Sequence, residues 1–290
     1  MQSAKVWQCR TRSFSLERPL VMGILNVTPD SFSDGGEHNR YEDAVAWGVK
    51  LAEDGADIVD VGGESTRPGA APVSGAAPVS EEEELRRVIP VVRALSSRGI
   101  AVSVDTSRSS VMEESVRAGA EILNDVRAFT LQGSLDAAAS SGAGLVVMHG
   151  WEAAAEDQAR GDGLGIVEHV IRYLRKRQEA LEAAGVSSAS VCWDPGFGFG
   201  KTHEENFELL ARTDDFVREG QPFLMALSRK RSIGAATGEA DARARTPGSV
   251  AGALIAVERG AQVVRVHDVR ETRDALAVFA AVRRAEQELP

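Results

Sequence analysis

The sequence contains few cysteines and no long hydrophobic run. Only two of its 290 residues are cysteine, Cys9 and Cys192, and no Cys/His spacing typical of a zinc site is present. We therefore expect a chain without disulfides in a reducing, cytoplasmic compartment. No apolar run approaches the roughly 18 residues of a membrane span. The polar, basic start of the chain lacks the apolar core of a signal peptide.

Basic residues do not outnumber acidic residues in this chain. The 33 lysines and arginines against 43 aspartates and glutamates give a net charge of −10, which argues against nucleic acid and anionic membranes as partners. An anionic small-molecule substrate is still compatible, because screening over about 8 Å at physiological salt makes the local charges of a site decisive. A hydrophobic content of 43% and a charged content of 26% are typical of globular proteins.

One pattern recurs eight times along the chain: a short apolar run ends in a polar residue, and a helical segment follows. In the clearest case the run Ala189–Trp193 ends at Asp194, and a loop with three glycines leads to Lys201. Eight such repeats predict a closed (β/α)8 TIM barrel with its site at the carboxyl ends of the strands. An open doubly wound sheet is the alternative, but no GxGxxG turn follows the first strand.

We predict a single domain over residues 1–290. A short N-terminal β-hairpin at about 4–18 should close the bottom of the barrel, which spans about 20–288. The pattern predicts a strand at Phe223–Leu227 and a long helix at Gly163–Ala184. Ser80 is predicted to cap the helix that starts at Glu81, with Glu83 completing a capping box.

Polar residues at the predicted strand ends fall into two groups. Asp105, Asn124 and Asp194 suit the N–H and NH₂ edge of a heterocycle, and Lys230 suits a ring oxygen or nitrogen. The residues that suit a phosphate group and a hard metal ion are Asn26, Arg67, Arg265 and His267. Any one of these could be a loop cap or an ion-pair partner. Together they predict a pocket for a pterin-like ring that carries a diphosphate.

Seven segments resemble the signature sequences of the dihydropteroate synthase family. The two longest are Gly23–Gly36 and Asp60–Gly69. The other five follow in the order of the family: Ser103–Thr106, Asn124–Val126, Asp194–Lys201, Ser228–Lys230 and Arg265–Val269. The resemblance extends over about 20–288.

This resemblance implies a transferase of folate biosynthesis. The enzymes of the family condense 6-hydroxymethyl-7,8-dihydropterin diphosphate with 4-aminobenzoate to give 7,8-dihydropteroate and diphosphate. The resemblance also implies Mg²⁺ bound through Asn26 and a homodimer formed through the late helices.

The resemblance also assigns residues to each ligand. The pterin is assigned to Asp105, Asn124, Met148, Asp194 and Lys230. The diphosphate is assigned to Asn26, Arg67, Arg265 and His267. The 4-aminobenzoate is assigned to Phe32, Thr66, Arg67, Pro68, Phe199, Lys230 and Arg231. The residues expected to be catalytic are Asn26, Asp105, Asp194, Lys230 and Arg265.

The chain departs from the family pattern at three places. The segment Gly69–Ser74 is repeated letter for letter as Gly75–Ser80. Arg231 stands where the family usually has serine, and Ala226 stands where glycine is common. Because the repeat and Arg231 lie near the predicted 4-aminobenzoate pocket, where sulfonamides compete, altered sulfonamide sensitivity is a hypothesis.

Two other functions are compatible with the pattern. A methyltetrahydrofolate:corrinoid methyltransferase shares the pterin barrel but has no diphosphate to bind, so it would not need Arg67, Arg265 and His267 together. A catalytically silent paralogue would bind pterin without turnover. Release of diphosphate in the presence of both substrates and Mg²⁺ distinguishes a synthase from either.

Overall fold

The computed structural model describes residues 4–27, 37–63, 79–160 and 162–288. Within these ranges the strands are β1 (Val6–Gln8), β2 (Ser13–Ser15), β3 (Leu20–Asn26), β4 (Ile58–Gly62), β5 (Val102–Asp105), β6 (Ile122–Asp125), β7 (Gly144–Met148), β8 (Val191–Asp194), β9 (Leu224–Met225) and β10 (Val263–Val266). The helices are α1 (Glu37–Glu53), α2 (Glu81–Ser96), α3 (Ser109–Ala118), α4 (Ser134–Ser141), α5 (Trp151–Arg160), α6 (Ile166–Ala183), α7 (His203–Ala211), α8 (Thr213–Val217), α9 (Arg231–Thr237), α10 (Thr246–Glu258) and α11 (Val269–Glu288).

Strands β3 to β10 form one parallel sheet that closes into a barrel. Neighbouring strands follow the order β8-β7-β6-β5-β4-β3-β10-β9. A parallel bridge between Trp193 and Phe223 joins the first of these strands to the segment leading into the last. At this seam the Trp193 amide also donates to the carbonyl of Pro222 at 2.8 Å. The predicted (β/α)8 barrel is confirmed.

The two-residue alternation of each strand separates an inner from an outer layer. In β4, Val59 and Val61 pack in the cluster between strands and helices, whereas Ile58 packs in the cluster inside the barrel. Because successive side chains point to opposite faces, Asp60 shares the inner face with Ile58. The same alternation in the other strands brings Asp105, Asn124, Asp194 and Arg265 to the inner face.

The N-terminal hairpin closes the amino end of the barrel, as predicted. Strands β1 and β2 pair antiparallel, and Trp7 is fully buried among inward residues of the barrel strands. Its indole Nε1 donates to the carbonyl of Ser190 at 2.9 Å. Cys9 and Cys192 lie in the same cluster and are free thiols. The indole therefore fills the end of the barrel opposite to the polar strand ends.

Two predicted elements have different bounds in the structure. The strand predicted at Phe223–Leu227 is only Leu224–Met225. The long helix predicted from Gly163 begins at Ile166, because Gly163 has a φ of +75° and Gly165 is the N-cap in an extended conformation. A separate helix, α5, precedes it and was not predicted, although its run of alanine and charged residues favours helix.

The cap of α2 is formed on one side only. The Ser80 hydroxyl accepts from the Glu83 amide at 3.2 Å, as predicted. The Glu83 carboxylate accepts instead from Arg86 and Arg87. The second half of the predicted capping box is therefore wrong, because two guanidinium groups one turn further along compete for that carboxylate.

Several predicted residues lie outside the described ranges. These are Phe32, Thr66, Arg67 and Pro68, together with the part of the repeat at 69–78. Among the residues that the structure describes, no helix combines the length and hydropathy needed to cross a membrane.

Candidate active site

A cavity of about 600 Å³ opens at the carboxyl ends of the barrel strands. Its lining includes seven of the predicted site residues: Asn26, Asp105, Phe199, Lys230, Arg231, Arg265 and His267. They come from β3, β5 and β10, from the segments that follow β8, β9 and β10, and from the start of α9. The carboxyl ends of parallel strands meet on one face of a barrel, so residues far apart in sequence share one cavity.

Arg265 forms the centre of a charged cluster inside the barrel. Its Nε lies 2.6 Å from Oδ2 of Asp60, and its Nη2 lies 2.9 Å from Oδ2 of Asp105. Asn124 completes the cluster by donating from Nδ2 to the same Asp60 oxygen at 3.2 Å. The guanidinium predicted for the diphosphate is therefore bound to carboxylates on the pterin side of the predicted site.

Burial dominates the electrostatics of this cluster. The pKa of Asp105 is raised by burial, and the attraction of Arg265 offsets only part of that effect. Asp60 is fully buried, and its Oδ1 has no hydrogen-bond partner among the described residues. A buried carboxylate oxygen without a donor is costly, so the cluster is suited to a ligand that brings N–H groups.

Asp194 ends β8 and is held by the first turn of the glycine-rich loop. Its Oδ1 accepts from the amide of Gly196 at 2.7 Å. Gly196 has a φ of +69°, and a Cβ there would lie 1.9 Å from the carbonyl oxygen of His149, so only glycine fits. Burial raises the pKa of Asp194, although Lys230 and the Gly196 amide lower it. Met148 lies directly beside Asp194 on β7 and is buried.

Lys230 reaches across the cavity to the glycine-rich loop. Its Nζ donates to the carbonyl of Phe197 at 2.5 Å and lies 4.6 Å from the centroid of the Phe199 ring. Burial lowers the pKa of Lys230 to about 8, although the charge of Asp194 raises it. The ammonium thus lies over an aromatic face of the cavity wall and within the electrostatic influence of Asp194, which is not itself among the residues that line the cavity.

The mouth of the cavity carries His267 and Arg231. The His267 ring lies with Nδ1 3.1 Å from the hydroxyl of Ser228. Arg231 is exposed at the start of α9. Its neighbour Arg229 is not a surface cation, because its Nε donates to Asp268 at 3.0 Å. Both arginines line the cavity, and Arg231 is the more exposed of the two, whereas Arg229 is engaged by Asp268.

The chain is similar in sequence to proteins of one family over nearly its whole length. A model of the pterin binding enzyme family matches residues 22–267. The dihydropteroate synthase of Escherichia coli K12 is 45% identical over 278 residues, covering 95% of each chain. That of Neisseria meningitidis serogroup C is 43% identical over 281 residues, 96% of this chain and 97% of the relative. This chain belongs to the dihydropteroate synthase family.

Solved structures of dihydropteroate synthases share the fold over nearly the whole chain. The Xanthomonas albilineans enzyme with 4-aminobenzoic acid has a TM-score of 0.87 and 47% identity, covering 97% of this chain and 99% of that one. The same enzyme in complex with 7,8-dihydropteroate has a TM-score of 0.84 and 45% identity, covering 98% and 100%. The barrel of this dihydropteroate synthase family member is thus found in relatives with bound substrate and product.

Two charged residues of the site, the buried Asp60 and the partly buried Lys201, were missed by sequence reasoning. Asp60 interrupts the apolar run of β4, and a carboxylate in such a run indicates a paired or functional group. Lys201 donates from Nζ to the carbonyls of His149, Gly196 and Phe199 at 3.0 to 3.1 Å. Burial lowers its pKa to about 7. Nothing in the sequence around Lys201 indicates these three carbonyl partners.

Proposed function

We propose that this protein is a dihydropteroate synthase, which joins 6-hydroxymethyl-7,8-dihydropterin diphosphate to 4-aminobenzoate. The observation that carries this proposal is the cluster of Asp60, Asp105, Asn124 and Asp194 on the inner face of the barrel, beside a cavity with cations at its mouth. The relatives reported above favour this reading over a corrinoid methyltransferase, because each is named as a dihydropteroate synthase.

The pterin would bind against the inner carboxylates. Asp105, Asn124 and Asp194 present acceptors to the ring N–H and NH₂ donors, and Lys230 donates to a ring oxygen or nitrogen. Met148 supplies an apolar wall beside Asp194. Arg265 holds Asp60 and Asp105 in place through two ion pairs. Asp60 in turn holds Asn124 by accepting a hydrogen bond from its side-chain amide.

The diphosphate would lie toward the cavity mouth, near Asn26 and His267. We also assign Arg67 to it, on the family resemblance alone. Arg265 uses Nε and Nη2 for carboxylates, whereas its Nη1 forms no hydrogen bond to any described residue. That nitrogen would contact the diphosphate and connect the two halves of the substrate.

The residues also fit a magnesium ion. Among the described residues no group of three or more His, Cys, Asp or Glu side chains could hold a metal. Mg²⁺ needs no such group, because it usually takes one or two protein oxygens together with substrate phosphates and water. Asn26 lines the cavity with a hard oxygen ligand. When bound, the ion would neutralise charge on the leaving diphosphate.

The second substrate would enter beside Phe199, with its carboxylate toward Arg231. We assign Phe32, Thr66 and Pro68 to the same subsite from the resemblance. The aromatic amine is a neutral nucleophile and needs no strong base. Its nitrogen attacks the pterin methylene carbon, the C–O bond to diphosphate breaks, and the nitrogen then loses a proton. Asp105 and Asp194 stabilise the positive charge that develops near the methylene group.

We further propose a cytoplasmic homodimer that forms through α10 and α11. Ile255 is 41% exposed on α10. Val278 and Val282 lie one turn apart on the same face of α11 and are 67% and 52% exposed. Exposed apolar side chains that share a helix face support an interaction surface. Sedimentation of the parent and of Val278→Glu would test this. A monomeric parent would exclude the proposed interface.

The proposed reaction is tested by diphosphate release. Purified protein should release diphosphate only when the pterin diphosphate, 4-aminobenzoate and Mg²⁺ are all present, and omission of any one should reduce the rate to background. A protein that binds the pterin substrate without turnover would be a silent paralogue. Methyl transfer from methyltetrahydrofolate to a corrinoid would identify the methyltransferase.

A further inference from the structure

Helix α5 packs on the glycine-rich loop that follows β8. The Gln158 amide donates from Nε2 to the carbonyl of Gly200 at 3.0 Å. Gly200 has a φ of +67°, and a Cβ built there would lie 2.7 Å from the Cβ of Ala154. The backbones of helix and loop are therefore in close contact, and a side chain at Gly200 would separate them.

The contact reaches the cavity through Phe199. The Trp151 and Phe199 rings have centroids 6.0 Å apart and an interplanar angle of 65°, which is an edge-to-face arrangement. The ammonium of Lys230 also lies over the Phe199 ring, 4.6 Å from its centroid. Phe199 lines the cavity and is only 8% exposed. Its ring thus contacts both an indole and a cation.

The orientation of α5 is fixed at Asp157. The Oδ2 atom of Asp157 lies 2.9 Å from Nε2 of His149, and its Oδ1 lies 3.1 Å from Nδ1 of His169. His149 follows β7 directly and is fully buried. One carboxylate on α5 therefore joins the helix to the end of a barrel strand and to α6. This link holds in place the helix that carries Trp151.

We propose that Trp151 is a positioning residue of the second-substrate subsite. It holds the Phe199 ring against Lys230 and so sets the affinity for 4-aminobenzoate and for small aromatic acids or arylamines that compete with it. The pterin is assigned to the inner carboxylates and not to Phe199, so the affinity for the pterin substrate should be unaffected. This inference rests on the proposed synthase function for the identity of the second substrate.

The experiment compares the Michaelis constants of the parent, Trp151→Ala and Trp151→Phe. Trp151→Ala should raise the constant for 4-aminobenzoate about fivefold, equivalent to about 1 kcal/mol of an aromatic pair. The constant for the pterin diphosphate should stay within about twofold of the parent. Trp151→Phe should restore most of the loss, because an edge-to-face pair is still possible.

The matched control is Trp47→Ala on α1. Trp47 is 44% exposed and Trp151 is 40% exposed, so both variants remove a similar surface indole. The inference would be overturned if Trp151→Ala and the parent had the same Michaelis constant for 4-aminobenzoate. It would also be overturned if Trp151→Ala raised the Michaelis constants for both substrates equally. Calorimetric titration of 4-aminobenzoate into each variant with pterin and diphosphate present gives the same comparison without turnover. An inactive parent would count against the synthase, whereas an active parent with an unchanged Trp151→Ala would count only against Trp151.

Discussion

Asp194 illustrates how much of the site depends on single inward-facing residues. Its carboxylate ends a buried strand, and one oxygen accepts from the amide of Gly196. The cost of burying this group is visible in its raised pKa. A ligand that donates hydrogen bonds to the carboxylate would offset that cost.

We therefore predict that Asp194→Ala abolishes binding of the pterin substrate while the protein still folds. Each ring donor left unpaired should cost about 1–3 kcal/mol. Isothermal calorimetry measures the affinity, and Asp54→Ala, directly after α1 and far from the barrel strand ends, is the control, since Asp54 forms an ion pair with Lys50. Unchanged pterin affinity in Asp194→Ala would mean that the ring binds elsewhere.

A second prediction concerns Arg231 at the cavity mouth. If it pairs with the carboxylate of 4-aminobenzoate, Arg231→Ser should raise the Michaelis constant for that substrate several-fold, since a charged hydrogen bond is worth about 1.5–3 kcal/mol when desolvated and little when exposed. Arg270→Ser on α11, where the arginine forms an ion pair with Asp274, is the matched control. Identical constants for the two variants would place the Arg231 side chain in solvent.

At the scale of elements, α5 is the part of the site that depends on a buried histidine. Burial lowers the pKa of His149 from 6.5 to about 4, with Asp157 raising it and Lys201 lowering it. The unfolded chain therefore takes up the proton at a higher pH than the folded protein does. The neutral ring contributes stability that is present above about pH 6.5 and is lost as the pH falls toward 4.

We accordingly expect the free energy of unfolding of the parent to depend on pH in a way that the free energy of unfolding of His149→Gln does not. Between pH 6.5 and pH 4 the free energy of unfolding of the parent should fall, relative to that of the variant, by up to about 3 kcal/mol. Urea denaturation of both proteins at several pH values measures this difference. A difference that stays constant over the range would show that His149 titrates alike in the folded and unfolded states.

The repeated loop segment gives another prediction at this scale. Deletion of Gly75–Ser80 should leave the protein folded and active, because Ser74 would then take the place of Ser80 as the cap of α2. Shortening a loop from about 18 to 12 residues changes its closure entropy by only about 0.4 kcal/mol. Turnover and sulfonamide inhibition should be measured beside the parent. A loss of turnover greater than about tenfold would reject this view.

Two features made part of the site predictable from the sequence: where each strand ends, and which of its alternating residues face the barrel interior. The apolar runs identified Asp105, Asn124, Asp194 and Lys230, because a polar residue that follows an apolar run can be recognised from the sequence alone. The partners of Arg265 were not predictable, since its two carboxylates come from β4 and β5 on the far side of β3. Helix α5 was missed because the polar loop after His149 carries no apolar periodicity.

At the scale of the whole molecule, the two ends of the barrel have different roles: the amino end contributes packing, and the carboxyl end carries the site. The amino end is filled by apolar side chains around Trp7, whereas the carboxyl end holds the paired charges and the cavity. This division is general in barrels, where sites form at the carboxyl ends of the strands. It explains why eight strand ends in one sequence already indicated a single site, before any distance between them was known.

The most direct test of the synthase proposal follows the nitrogen of the second substrate. With 4-aminobenzoate labelled with ¹⁵N in its amine and an excess of pterin diphosphate and Mg²⁺, mass spectrometry should find the label in 7,8-dihydropteroate. One diphosphate should appear for each product molecule, because the C–N bond forms as the C–O bond breaks. Diphosphate released without labelled dihydropteroate would show hydrolysis instead of condensation and would contradict the account.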